Sequence, residues 1–342
     1  MNKKQQIAVL IGICISGVFL WIAFRDLQPD QVVDEIRRAN IGLLLFSAVW
    51  FFASMILIAL RWQYLLRAVQ HVPLKNLTAL VAICYMGNNI YPLRSGEALR
   101  IFLLQRNQHV PVIKSTTTVI VERVFDGLVM LTFILIPMAI TDIVSADVRR
   151  VVAFTAPFFL SALALFFVLA ARPNLLRRLM LWVNRFLPEK LAALVTAIGE
   201  GVIGGLEGLR SPVDLAGAIV SSYASWVAEA SVYWIVMFAF DLDLSFAVAL
   251  LVTGTVNLAG LLPASPGQIG VFEFFGQAVL IAAGVNAELA LGYTLTVHVV
   301  IWLPVTLVGA FLLIRQGLGW SAIARARQLE EQAARSETIP NA

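Results

Sequence analysis

The chain has 342 residues, 60% of them apolar and only 13% charged, with a mean hydropathy of +0.85. Soluble domains carry about 25% charged residues, so an ordinary water-soluble fold is excluded. The net charge of +4 is too small to point to a nucleic-acid partner, and the two cysteines, Cys14 and Cys84, have neither metal-ligand nor disulfide spacing.

Apolar runs close to the ~20 residues of a bilayer-spanning helix lie at 7–24, 41–60, 118–140, 151–171, 213–240 and 288–314. Interrupted runs cover 76–104 and 244–284. The first run follows Lys3 and Lys4 but ends in Trp21, Phe24 and Arg25, with no small-residue cleavage site. It reads as an uncleaved first span. The fold class expected is an all-α, polytopic helical membrane protein with about eight membrane segments.

Basic residues collect in alternate connections: Lys3 and Lys4, Arg61 with Arg67 and Lys75, Arg106 and Lys114, 172–190, and Arg315 with Arg325 and Arg327. The other connections are acidic or mixed, so the positive-inside rule puts both termini in the cytoplasm. Lys75 and Arg106 then share one side, and 76–104 must enter and return, turning at 91–96. By the same parity 244–284 enters from the opposite face and turns at 263–270. The turns carry NNIYPLRSGEALR (88–100) and LLPASPGQIGVFE (261–273), whose Pro92 and Pro263 stand 171 residues apart, half the chain. Two broken elements of opposite sense are expected for an inverted repeat, with unwound backbone meeting near the midplane. The turn residues are Asn88, Asn89 and Pro92 in one half and Pro263, Ser265, Pro266, Gly267 and Gly270 in the other. Half-repeats of about 1–171 and 213–316 flank a cytoplasmic amphipathic linker, 172–212. Residues 317–342 form a charged tail, too short for a catalytic domain.

Charge inside a membrane segment is costly and tends to face the bundle interior. Arg94, Glu97 and Arg100 rank first by that criterion. A helix beginning near Gly96 aims its N-terminal N–H groups at the same place, and guanidinium matches phosphate oxygens bidentately. This is a candidate phosphate site. In VERVFDGL, Glu122 and Asp126 share a helix face four residues apart and could balance the arginines, whereas a simple cytoplasmic helix start would account for them equally. Glu229, in the middle of its run, must be paired or protonated. Glu273 lies in the second broken element, and His298 stands alone in the last helix. There is no metal-ligand grouping, nucleotide loop or nucleophile elbow, and no cofactor is expected.

NNIYPLRSGEALR, ERVFDGL and LLPASPGQIGVFE, in this order, resemble the flippase-like membrane domain of lysylphosphatidylglycerol synthases over about 1–316. The resemblance implies an eight-segment helical domain handling phospholipid or another lipid-linked substrate. Its motif residues fall on Pro92, Arg94, Gly96, Glu97 and Arg100, on Glu122, Arg123 and Asp126, and on Pro263, Pro266, Gly267, Gly270 and Glu273. Gln268 departs from the pattern, where glycine is frequent. The soluble aminoacyl-transfer domain is missing, so aminoacylation is not implied.

The expectation is therefore a multi-pass protein of the bacterial inner membrane that binds an anionic phospholipid or lipid-linked substrate and flips it between leaflets. Arg94, Gly96, Glu97, Arg100 and Arg123 would form the headgroup site, with Glu122, Asp126, Glu229 and Glu273 balancing charge or coupling a proton. An enzyme is the less favoured class. The alternatives are an intramembrane headgroup or glycosyl transferase, an accessory partner of a lipid-modifying enzyme, and a small-solute transporter.

Overall fold

Long apolar stretches held by good caps become the frame of the molecule. In a computed structural model, described over residues 3–25, 27–67, 69–91, 95–141, 173–188, 211–262 and 264–317 with isolated positions at 161 and 191–200, the described residues form helices without strands. In chain order these are α1 (Lys3–Phe24), α2 (Pro29–Arg38), α3 (Ile41–Leu66), α4 (Leu74–Ile90), α5 (Gly96–Gln108), α6 (Val112–Ile140), α7 (Pro173–Asn184), α8 (Pro212–Ala239), α9 (Phe246–Ala259), α10 (Val271–Ala282) and α11 (Ala287–Arg315). The expected span 151–171 apart from Ser161, together with Pro92, Arg94, Pro263 and the tail beyond Gly317, lies outside the described residues.

Among the described residues, α3 and α11 are long and apolar enough to cross a bilayer on their own. Their 26 and 29 residues correspond to about 39 and 44 Å at 1.5 Å per residue, against a hydrocarbon core of about 30 Å. Each starts on an asparagine: Asn40 Oδ1 accepts the N–H groups of Gly42 and Leu43 (3.0 and 3.2 Å), and Asn286 those of Glu288 and Leu289 (2.8 and 3.3 Å). These side chains satisfy donors that helix starts otherwise leave open. With 29 and 28 residues, α6 and α8 are also long enough to span.

The two interrupted runs are broken helices, as expected. α4 and α5 have 17 and 13 residues, and α9 and α10 have 14 and 12. At about 18–26 Å none reaches across alone. α5 folds back on α4: the Gly96 N–H donates to Asn88 Oδ1 at 2.9 Å, and a Cβ on Gly87 would sit 2.7 Å from Gly96 Cα. Only glycine at both positions permits that approach. The second break turns through Pro266–Gln268 to Gly270, and Gly267, Gln268 and Gly270 all have positive φ (72°, 61° and 89°).

Helix partners obey a two-fold rule. α3 packs along α8, α4 on α11, α6 on α9, α3 on α4, α8 on α9, α5 on α6, and α10 on α11. Exchanging α3 to α6 with α8 to α11 converts each of these contacts into itself or into another that the fold makes. Such closure follows from a repeat related by a two-fold axis. Outside the exchange, α1 rests on α10 and α2 on α11. α7, in the linker, exposes Leu179, Trp182 and, just beyond it, Phe186, as an interfacial helix would.

Candidate functional site: a polar cavity between the two breaks

The first wall of the site is a buried charge cluster joining three helices. Arg61 of α3 donates to Glu122 of α6 through Nε (3.3 Å) and Nη2 (3.2 Å), and to Asp126 through Nη1 (2.5 Å). Arg100 of α5 donates to the other oxygen of Glu122. Arg123 pairs with Asp126 (3.1 Å) and with Glu97 (3.7 Å). Three guanidinium groups thus meet three carboxylates, and the cluster is neutral. Arg61, Arg100 and Glu122 are at most 2% exposed, whereas the Arg123 side chain is 45% exposed. Burial on this scale is tolerable only because each charge has a partner and further hydrogen bonds. Two tryptophans hold the cluster in register: the Arg100 guanidinium lies 4.6 Å over the Trp62 ring, and Trp226 Nε1–H donates to Asp126 at 2.7 Å.

α6 starts at Val112, so Glu122 stands ten residues, about 15 Å, inside the helix rather than at its start.

From this wall a cavity of about 120 Å³ opens toward the second break. That is room for several waters or one small polar group. Asn88 and Asn89 of α4, Arg100, Arg123, Glu229 and Asn257 line it, together with Gly267, Gln268, His298 and Trp302. The second break and the two helices that flank the first, α4 and α5, therefore border one space. Arg100 Nε, Glu229 Oε2 and Trp302 Nε1 are buried without a hydrogen-bond partner among the described residues. Buried polar atoms are otherwise almost always paired, with protein or with ordered water.

The second wall is held by Glu273 and His298. Glu273 Oε2 accepts the Gly270 N–H (2.6 Å) and caps α10, while Oε1 lies 2.5 Å from His298 Nδ1. His298 Nε2 donates to the Gly267 carbonyl at 2.8 Å.

The model of one family, described as the lysylphosphatidylglycerol synthase TM region, matches residues 9–309. The chain belongs to this family. Among its relatives is a protein named glycosyltransferase AglD of Haloferax volcanii, 25% identical over 301 residues that make up 79% of this chain and 48% of that protein. The chain thus spans about half the length of that relative. It also resembles the UPF0104 membrane proteins PH1989 of Pyrococcus horikoshii (22% identical, covering 91% of this chain and 97% of the other) and MJ1595 of Methanocaldococcus jannaschii (21%, 92% and 98%).

Against this synthase-type membrane region, several expectations change. Asn88 and Asn89 are not in the turn: they form the last turn of α4, where Asn89 Nδ2 donates to Thr306 Oγ1 (2.8 Å) and the Trp302 carbonyl (3.3 Å) of α11. α4 continues past them because Asn88 finds its partner in Gly96 and Asn89 finds its own on a neighbouring helix. Glu97 and Arg100 of α5 are each engaged by α6: Arg100 reaches Glu122, and Glu97 reaches Arg123. One N–H at the α5 start is already taken by Asn88. Glu229 has no cationic partner among the described residues, its polar neighbour being the Asn257 amide. Arg61, placed by charge counting in a cytoplasmic connection, is instead a core residue of the cluster. Its position inside IALRWQ, still helical and followed by Trp62, was the signal for that. Trp226, Asn257 and Trp302 were not singled out, since a tryptophan or asparagine in an apolar run has many uses.

Proposed function

We propose that this membrane protein handles a phosphate-bearing lipid, a phospholipid or a lipid-linked substrate, and moves its headgroup between leaflets through the cavity while the tails stay in the bilayer. The reading rests on one observation: a single polar cavity is bordered by the second break, by the two helices that flank the first, and by a charged wall. In transporters of this architecture the site lies where the two breaks meet. Arg123, half-exposed beside the cavity, is the guanidinium available to a phosphate; Arg94 joins it on the sequence argument alone. Arg100 is engaged by Glu122 and contributes its unpartnered Nε. Glu97, Glu122 and Asp126 keep the empty site neutral. Half-repeats of about 1–171 and 213–316 and cytoplasmic termini in the cell membrane follow from the charge bias of the connections.

A second reading is favoured by the relative named a glycosyltransferase: the domain presents a lipid-linked sugar to a transferase. Both readings place the same headgroup chemistry in the same cavity.

In vesicles carrying fluorescent phospholipids or phosphoprenyl lipids, the wild-type protein should equilibrate the label across leaflets faster than the Arg123→Gln variant by at least tenfold. Equal rates for the two proteins, or for protein and empty vesicles, would end the translocation reading.

A further inference from the structure

The protons of His298 can be counted from its neighbours. The Gly267 carbonyl, 2.8 Å from Nε2, has lone pairs only, so Nε2 carries a hydrogen and donates. Nδ1 faces Glu273 Oε1 at 2.5 Å. A bare nitrogen lone pair against a bare carboxylate at that distance repels, so one proton lies between them. It makes either an imidazolium facing a carboxylate or an imidazole facing a carboxylic acid. Both forms are neutral overall, as burial of the two residues requires.

Without that proton no arrangement satisfies the histidine. Hydrogen on Nε2 leaves Nδ1 opposed to Glu273, and hydrogen on Nδ1 leaves Nε2 opposed to the Gly267 carbonyl. The contact at stake ties the second break to α11. That break is strained: Gln268 holds φ 61° without the freedom of glycine, between Gly267 and Gly270 at 72° and 89°. It keeps this shape through the His298 contact, the Gln268 N–H to the Ser265 carbonyl (3.0 Å), and the Ser265 N–H to Ser16 Oγ of α1 (2.8 Å). Phe272 stacks on the imidazole with centroids 4.2 Å apart.

We propose that Glu273, His298 and the Gly267 carbonyl form a proton-binding site whose occupancy holds the second break closed, so that the proton is the ion coupled to headgroup movement. The coupling rests on the function proposed above; the proton site does not. The pair shares the cavity with Glu229 and Tyr233 of α8, Cys84 and Tyr85 of α4, Arg100 of α5 and Arg123 of α6. α1 and α9 meet α10 through Phe19 and Val256, neither titratable.

Glu273→Gln is the discriminating variant. Its amide N–H can donate to Nδ1 while its carbonyl accepts from Gly270, which reproduces the protonated pair permanently. The full chain in phosphatidylcholine–phosphatidylglycerol nanodiscs would be labelled with ¹⁵N-histidine, and His298 assigned by difference against His298→Gln, which is practical with three histidines. Opening would be read from maleimide modification of Gln268→Cys in a Cys14→Ser background, divided by the rate for the unfolded chain, with the parent protein as blank. As pH is raised, wild type should lose one proton from the pair, with a normalised modification rate rising at least tenfold over the same step. Glu273→Gln should keep His298 neutral with hydrogen on Nε2 and show a flat normalised rate. The same pH profile in both proteins, by either readout, would overturn the proposal. Lipid movement indifferent to Arg123→Gln while the pH step persists would remove the headgroup reading and leave the proton site standing.

Discussion

Replacing Glu122 by glutamine removes the carboxylate that joins two buried arginines without changing side-chain shape. Glu122 is fully buried and accepts from Arg61 Nε, Arg61 Nη2 and Arg100 Nη2. In Glu122→Gln the cluster holds three cations against two anions, and one amide oxygen remains for three donors. Breaking a buried ion pair by removing one partner costs about 3–5 kcal/mol, because the surviving charge stays desolvated. The remaining oxygen keeps one hydrogen bond, so the lower figure, about 3 kcal/mol, is expected. Adding Arg100→Met restores two cations against two anions and leaves an apolar chain on Trp62. The double variant should therefore recover about 1–2 kcal/mol, a coupling within the range for residues sharing a network. Equilibrium unfolding in lipid–detergent micelles, followed by fluorescence, suits the question, since Trp62 and Trp226 both touch the cluster. Stability of Glu122→Gln within about 0.5 kcal/mol of wild type, or losses that simply add in the double variant, would refute the account of the cluster as a balanced unit.

Other substitutions probe the two walls and the repeat. Gly96→Ala should unfold the α4–α5 hairpin or sharply lower yield, because the new Cβ runs into the Cys84 carbonyl; Gly127→Ala, with nothing within 4 Å, should be silent, and thermal melts of the two compare them directly. Gly309→Leu should cost at least 2 kcal/mol in the same unfolding assay, since even a Cβ there would lie 2.5 Å from the Ala82 carbonyl oxygen and Met86 Cβ at the α4–α11 crossing. Glu229→Gln should leave stability unchanged or raise it by about 1 kcal/mol, as it removes a buried carboxylate with one oxygen unpartnered; a clear loss of stability would mean that the carboxylate has a cation partner.

Much of the frame was legible because membrane segments obey one-dimensional rules. Composition and run length identify helices that must satisfy their own backbone in lipid, and charge parity sets the expectation of which runs return to the side they entered. The breaks at 91–95 and 260–270 follow from proline and glycine set in apolar sequence at half-chain spacing. The first motif was read as holding a cation pair for phosphate, but a motif lists charges without their partners. Arg100 is spent on Glu122, and that pairing depends on α5 crossing α6, a relation between segments that periodicity along one segment does not carry. Arg61 shows the same gap: near the end of its run it looked like a cytoplasmic anchor, and only the packing of α3 against α6 makes it a third cation.

The sequence by itself determined that the chain is a helical membrane protein with two interrupted elements and a few expensive internal charges. Each of those facts is local, set by transfer energy and backbone restriction at a handful of adjacent residues. Which charges pair, that Glu229 lines the cavity with no cationic partner among the described residues, and that His298 meets Glu273 25 residues away in the chain were decided by tertiary structure alone. Electrostatic partnership depends on distances across helix contacts, and these exist only once the two halves have packed together.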